Sequence, residues 1–145
     1  VKEGAGLVQL TENLERILEK TNCYVLLETL EYLSRGGRIG KASSFLGSLL
    51  SIKPIIMISD GEAHPVERVR TREKGIRKLI EVAEGLAPLR WVSIVHSSTP
   101  EEVDQLRRRL SGVVSSDQII VAGFGPVIGT YVGPGGLGLG LMSDS

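Results

Sequence analysis

One cysteine, two histidines and six aromatic side chains are all that the 145 residues carry of those types. With Cys23 alone no intramolecular disulfide can form, and there is no CxxC or Cys/His cluster to hold zinc, so neither a metal nor another cofactor is expected. Cys23 lies in the apolar run Cys23-Tyr24-Val25-Leu26-Leu27, which predicts a buried structural thiol rather than a nucleophile. Few rings leave the core to Leu, Ile and Val. Neither sign of charge is in excess, at 17 basic against 17 acidic groups, which removes the simplest argument for nucleic-acid binding. Val1–Gly6 has no cap and no apolar stretch, so it reads as a frayed start without a signal peptide, and a reduced, cytoplasmic setting is expected. The length fits one domain, and 41% hydrophobic with 23% charged residues is ordinary for a globular fold.

The zero net charge is a sum of unlike parts. Residues 1–33 carry three basic and six acidic groups, residues 34–79 ten and four, and residues 80–145 four and seven. A basic middle between acidic ends predicts a local positive surface suited to a phosphate or an acidic partner, or simply a solvated face. At the other extreme, Ile119–Met142 runs 24 residues without a charge, the length of a membrane span. Eight glycines with Pro126 and Pro134 break that stretch too often for a lipid-exposed helix, so no span is expected. Glycine, at 18 residues, is the one abundant oddity, and here it implies close backbone approach.

Periodicity alternates between helix and strand. Leu10, Leu14, Ile17 and Leu18 predict a helix over 11–20 with Thr11 as its cap, and Cys23–Leu27 predicts a buried strand. Thr29–Arg35 reads as a helix stopped by Gly36-Gly37, and Ser43–Leu50 as a second short helix. Ile52–Ser59 is a strand turned by Asp60-Gly61 into a partner over 62–70. Thr71 caps a helix reaching about Ala87, and Trp91–Val95 is a strand. Thr99-Pro100-Glu101-Glu102 has the spacing of a capping box for a helix to Leu110, and Ile119–Ala122 is a strand. The glycine-rich tail is expected to hold a helical turn or two and a last strand near 137–142. This is an α/β domain, with a mixed β-sheet flanked by helices because the Asp60-Gly61 hairpin must be antiparallel.

Single motifs say little. Gly133-Pro134-Gly135-Gly136-Leu137-Gly138 matches GxGxxG, but the seven residues after Gly138 leave no place for the acidic partner some ~20 positions on, so no dinucleotide fold is expected. Gly40-Lys41 resembles the end of a P-loop, yet the first glycine falls on Arg35 and the hydroxyl position on Ala42. Arg35-Gly36-Gly37-Arg38 sets two permanent cations beside backbone N–H groups, fitting a carboxylate, a phosphate or an interdomain salt link, or else a plain helix C-cap. His96-Ser97 closes a strand where α/β folds place their sites, but neighbours on an extended chain face opposite ways. His64, on the hairpin, is expected to be exposed and idle.

Taken together and in order, five stretches resemble one family. Leu30–Ile39 (LEYLSRGGRI) with Gly40-Lys41-Ala42, Gly47–Ile55 (GSLLSIKPI), Asp60-Gly61-Glu62, Arg68–Arg72 (RVRTR) and Gly125–Gly135 (GPVIGTYVGPG) are similar to the DegV family of bacterial fatty-acid-binding proteins. The resemblance implies a cytoplasmic carrier of two α/β domains with a long-chain fatty acid between them. In some members it presents the acyl carboxylate to an ATP-binding fatty acid kinase subunit, so that the phosphoryl chemistry belongs to the partner and the carrier is no enzyme. It resembles the C-terminal half alone, so that residues 1–145 would be the C-terminal domain, with the N-terminal domain and its hydroxyl side chains absent. Many relatives carry His in the Gly-Thr-His-Val-Gly-Pro-Gly stretch where Tyr131 stands here, and a phenol donates one hydrogen bond but stays neutral at pH 7.

The resemblance places Gly129, Thr130 and Tyr131 near the lipid carboxylate, with Arg38 beside them. Phe45, Leu46, Leu49, Leu50 and Ile52 are suited to line an aliphatic wall, or to be ordinary core. Arg68, Arg70 and Arg72, with Lys74, form the expected face for a kinase partner or its phosphates, Arg70 first. Two rival readings stay open: a phosphotransferase or hydrolase using His96, Ser97 or the Arg35–Arg38 loop, and an interaction domain that takes no small molecule.

Overall fold

A computed structural model describes residue 4 and residues 6–47 and 51–144. The elements follow in the order α1 (Leu7–Glu19), β1 (Thr21–Leu26), α2 (Glu31–Arg35), a 3-10 segment (Gly40–Phe45), β2 (Lys53–Ser59), β3 (Glu62–Val69), α3 (Arg72–Gly85), β4 (Leu89–His96), α4 (Pro100–Leu110), a second 3-10 turn (Ser116–Gln118), β5 (Ile119–Gly123), α5 (Pro126–Val132) and β6 (Leu137–Ser143). Six strands form one mixed sheet ordered β3-β2-β1-β6-β4-β5, in which only β4 and β5 run parallel. The expected α/β domain with a mixed β-sheet is therefore observed.

Alternation along the strands makes two cores. Leu26, Ile55, Ile94, Leu137, Leu139 and Leu141 point to one face, where α3 and α4 seal them with Leu79 and Leu106. Val25, Leu27 and Ile56 point to the other, under Leu30 and Leu33 of the α2 region, Ala42 of the 3-10 segment and Val132 of α5. β3 serves both faces because it slips register between Ile55 and Ile56. Ala63 on one side of that bulge packs into the second core, and Val69 beyond it into the first. On α3, Gly75 lies directly over the Leu26 methyls, where an added Cβ would have no room.

Local chemistry accounts for most boundaries and corrects several expectations. Thr71 caps α3 as expected, its Oγ1 accepting from the Lys74 N–H at 3.3 Å. Thr11 does not cap α1. The helix begins a turn earlier at Leu7, and the Thr11 hydroxyl donates to the Leu7 carbonyl at 3.0 Å inside it. The expected capping box on α4 is not formed either: Thr99 makes no side-chain cap bond. Instead His96 Nδ1 accepts the Thr99 N–H at 3.2 Å. The helix expected over Ser43–Leu50 is not found in its described part, where the 3-10 segment ends at Phe45 with Leu46 extended; residues 48–50, with the expected wall residues Leu49 and Leu50, lie outside the described residues. No helix among the described residues is long and apolar enough to cross a membrane.

Candidate functional site

β1, β4 and β5 finish, and β2 and β6 begin, at one end of the sheet, and two cavities open there. The first, 460 Å³, is lined by Leu30, Phe45, Leu46, Ile52 and Pro54 on its apolar side and by Glu28, Glu31, Arg35 and Lys53 on its polar side. Three of the expected wall residues, Phe45, Leu46 and Ile52, are thus brought together. Phe45 gains a cation, since the Arg68 guanidinium lies 5.1 Å from its ring centroid. The second cavity, 570 Å³, is lined by His96, Ser97, Ser98, Phe124, Gly129 and Thr130, with glycines 123, 125 and 133.

Between the cavities, α2 and α5 lock through two aromatic rings laid on two glycines. The Tyr131 ring occupies the space a Cβ on Gly36 would take, and the Tyr32 ring the space a Cβ on Gly133 would take. Gly133 also adopts φ +74°, a left-handed conformation that only glycine holds without strain. Arg38 stands 5.8 Å above the Tyr131 ring. Tyr131 therefore faces the arginine-glycine loop, while its neighbour Thr130 donates to the Pro126 carbonyl at 2.8 Å and lines the second cavity with Gly129.

The loop itself resolves an open alternative. The Arg38 N–H bonds the Leu33 carbonyl at 2.9 Å, that of Gly37 bonds Ser34 at 3.1 Å, and that of Gly36 bonds Tyr32 at 3.0 Å. Those backbone donors end α2 and are not turned toward an anion, so the helix C-cap reading holds for the backbone. Arg35 pairs with Glu31 at 2.5 Å on the same helix.

The basic face divides. Arg70 is exposed, and Arg68 stacks on Phe45. Arg72 does not face outward as expected. Its guanidinium grips the Glu102 carboxylate through Nε, at 3.0 Å, and a second nitrogen, and lies 3.8 Å from Glu28, which in turn pairs with Lys53. This chain of charges ties α3, α4 and the start of β2 to the end of β1. Glu28 and Lys53, not singled out in the sequence, are its members that reach the first cavity. The available signal was an acid directly after an apolar strand run.

His96 and Ser97 do not form a catalytic pair. His96 Nδ1 is engaged by the Thr99 N–H, and Ser97 Oγ is buried without a partner. His64 is half-buried rather than exposed, its Nε2 likewise unpartnered. Cys23 is half-buried, and burial pushes its thiol pKa upward, away from the thiolate a nucleophile needs. Among the described residues no group of three His, Cys, Asp or Glu side chains could hold a metal ion.

A family profile described as "Uncharacterised protein, DegV family" matches residues 1–144. The chain belongs to the DegV family. A DegV domain-containing protein of Halalkalibacterium halodurans is 33% identical over 142 residues, covering 96% of this chain and 50% of its own. Among solved structures, a DegV family protein from Thermus thermophilus described for its fatty-acid binding superposes with TM-score 0.88 at 29% identity, over 98% of this chain and 52% of its own. A fatty-acid-binding DegV family protein from Streptococcus agalactiae gives TM-score 0.87 at 28% identity, over 99% and 52%. This DegV chain thus spans about half the length of the relatives it matches.

Proposed function

We propose that this chain is the C-terminal half of a DegV carrier that encloses a long-chain fatty acid and presents its carboxylate to a kinase partner. The observation that carries the reading is the 460 Å³ cavity, apolar on the Phe45–Leu46–Ile52 side and edged on the other by the ion pairs Arg35–Glu31 and Lys53–Glu28, in a fold whose relatives are described as binding fatty acids. Each methylene buried against such a wall contributes about 0.8 kcal/mol, so an acyl chain is a large driving force for closing the site. Arg38 and Tyr131 stand at the interlock between the two cavities, Thr130 and Gly129 line the second, and these four supply the polar end. Exposed Arg70, with Arg68 nearby, is the face offered to an acidic or nucleotide-bearing partner. The half supplying the remaining wall, an N-terminal domain, belongs to the rest of a longer polypeptide.

Native mass spectrometry of the polypeptide as its own host makes it tests this reading. A co-purifying C14–C18 acid is expected. Phe45→Asp should abolish its retention and also lower the thermal midpoint, because the ring packs on the second core. Leu46→Asp, on the same wall but half-exposed and outside both cores, should cut retention with the midpoint nearly unchanged. An empty protein that hydrolyses esters or ATP unaided would overturn the proposal. A wild-type level of lipid in Phe45→Asp would remove the first cavity from it.

A further inference from the structure

Four charged side chains join end to end behind the rim of the first cavity, and their charges cancel. Glu28, just past β1, holds Lys53, the first residue of β2, and both line the cavity. Behind them Arg72, the first residue of α3, grips Glu102 in the first turn of α4. The two pairs nearly meet. Arg72 Nη1 lies 3.8 Å from Glu28 Oε2, about half an ångström beyond hydrogen-bond reach, and it is buried without a hydrogen-bond partner. Leaving a buried cationic donor unpaired is costly, so the nearest acid is drawn to it.

The members differ in their freedom to move. The side chains of Arg72, Glu102 and Lys53 are 21, 22 and 23% exposed, and that of Glu28 is 45% exposed. Glu102 is fixed by two bonds from one guanidinium fork. Glu28 is thus the carboxylate of the network with both room to turn and a second cation beside it. When it turns from Lys53 to Arg72, both acids stay paired and only the Lys53 ammonium is uncovered, at the cavity lining. Arg35 on the same rim is a weaker holder of anions, because at 75% exposure its field is screened by water. Lys53, mostly buried, acts through a lower dielectric.

We propose that Lys53 is a latent anion seat of the first cavity, opened when Glu28 swings to Arg72, and that its ligand is the acid head of a long alkyl chain. The inference deepens the carrier reading and rests on it, adding a mostly buried cation to the polar groups at the interlock. The Phe45–Leu46–Ile52 wall takes the methylenes, and the seat selects the head. An alkyl chain with a neutral head offers Lys53 nothing stronger than Glu28, so the seat stays shut and only the wall contributes. Preference for acids therefore depends on Arg72 as a positioning residue, which lies outside the cavity lining and acts through Glu28.

Equilibrium dialysis of the delipidated polypeptide, as its own host makes it, against palmitate, hexadecyl phosphate and hexadecanol tests the seat. Lys53→Met should weaken both acids about tenfold and leave the alcohol unchanged. Glu28→Gln, which frees the ammonium at once, should strengthen both acids several-fold. Arg72→Lys still reaches Glu102 but cannot serve Glu28 as well. It should weaken the acids several-fold, and lose that effect in the Glu28→Gln background. Acid binding unchanged in Lys53→Met, equal loss of acids and alcohol there, weaker acid binding in Glu28→Gln, or an Arg72→Lys effect equal in both backgrounds would overturn the proposal. The carrier reading is told apart by the probes. Hexadecyl phosphate bound with this pattern while palmitate is refused retires the fatty-acid reading alone. Palmitate bound regardless of Lys53 and Glu28 retires only the seat, and refusal of all three probes retires both.

Discussion

The two faces of the sheet are held by different means. On one, α3 and α4 lay two long helices over a continuous floor of Leu, Ile and Val, and the contact is oil against oil. On the other, α2, the 3-10 segment and α5 are five to seven residues long, too short to bury much, and they hold each other through Tyr32 on Gly133 and Tyr131 on Gly36. Both cavities open on the side with the short elements. A face sealed by long helices keeps the domain folded. A face fastened at a few points can admit a ligand between its pieces.

The sharpest way to break that contrast is to cut into the sealed face. Leu106→Ala, at a fully buried site between α4 and the sheet, should cost about 2–5 kcal/mol and lower the thermal midpoint accordingly. A loss below 1 kcal/mol would mean the floor is looser than its burial indicates. The next test is of the fastened face. Gly133→Ala forces a side chain into a left-handed conformation and against the Tyr32 ring, for about 1–3 kcal/mol. Tyr32→Ala in the same chain should restore part of that loss, and strict additivity in the double mutant would show that the interlock does not exist. The smallest effect is at Cys23, under the same short elements. Maleimide labelling at pH 8 should be several-fold slower than in the urea-unfolded chain, because burial raises the thiol pKa and lowers the thiolate fraction. Equal rates would show that this side of the sheet opens freely.

The sealed face was legible from the sequence, and the fastened face only in its pieces: α2 with its Gly36-Gly37 stop and a short helix in the glycine-rich tail were expected, and their interlock was not. Strands β1, β2, β4 and β5 came from apolar runs, the hairpin from Asp60-Gly61, and the start of α3 from Thr71, each a signal within a few residues. What failed depended on partners that the local pattern does not show, near or remote. Thr99 does not cap α4 with its hydroxyl, and its own N–H is taken by the imidazole of His96, three residues back at the end of β4. Arg72 looks like a free surface cation until the fold brings Glu102 beside it, thirty positions on. The glycine-rich motifs were seen, but not why they are glycine, since the rings they accommodate come from another element nearly a hundred residues away. Family resemblance covered that gap for identity, while the arrangement of Tyr131 beneath Arg38 came only with coordinates.

The place of β6 in the sheet has a consequence for how the protein is made. The strand nearest the C-terminus lies between β1 and β4, with Leu137, Leu139 and Leu141 wholly enclosed. While the ribosome has delivered only residues up to about 135, β1 lacks one neighbour and the β4–β5 pair has nothing to join. Up to that point the strands form two separate hydrogen-bonded sets, a three-stranded hairpin stack and a parallel pair, and only β6 joins them into one sheet. Chaperones that bind exposed strand edges have their window in that interval, and a truncation that removes β6 would leave it permanently open.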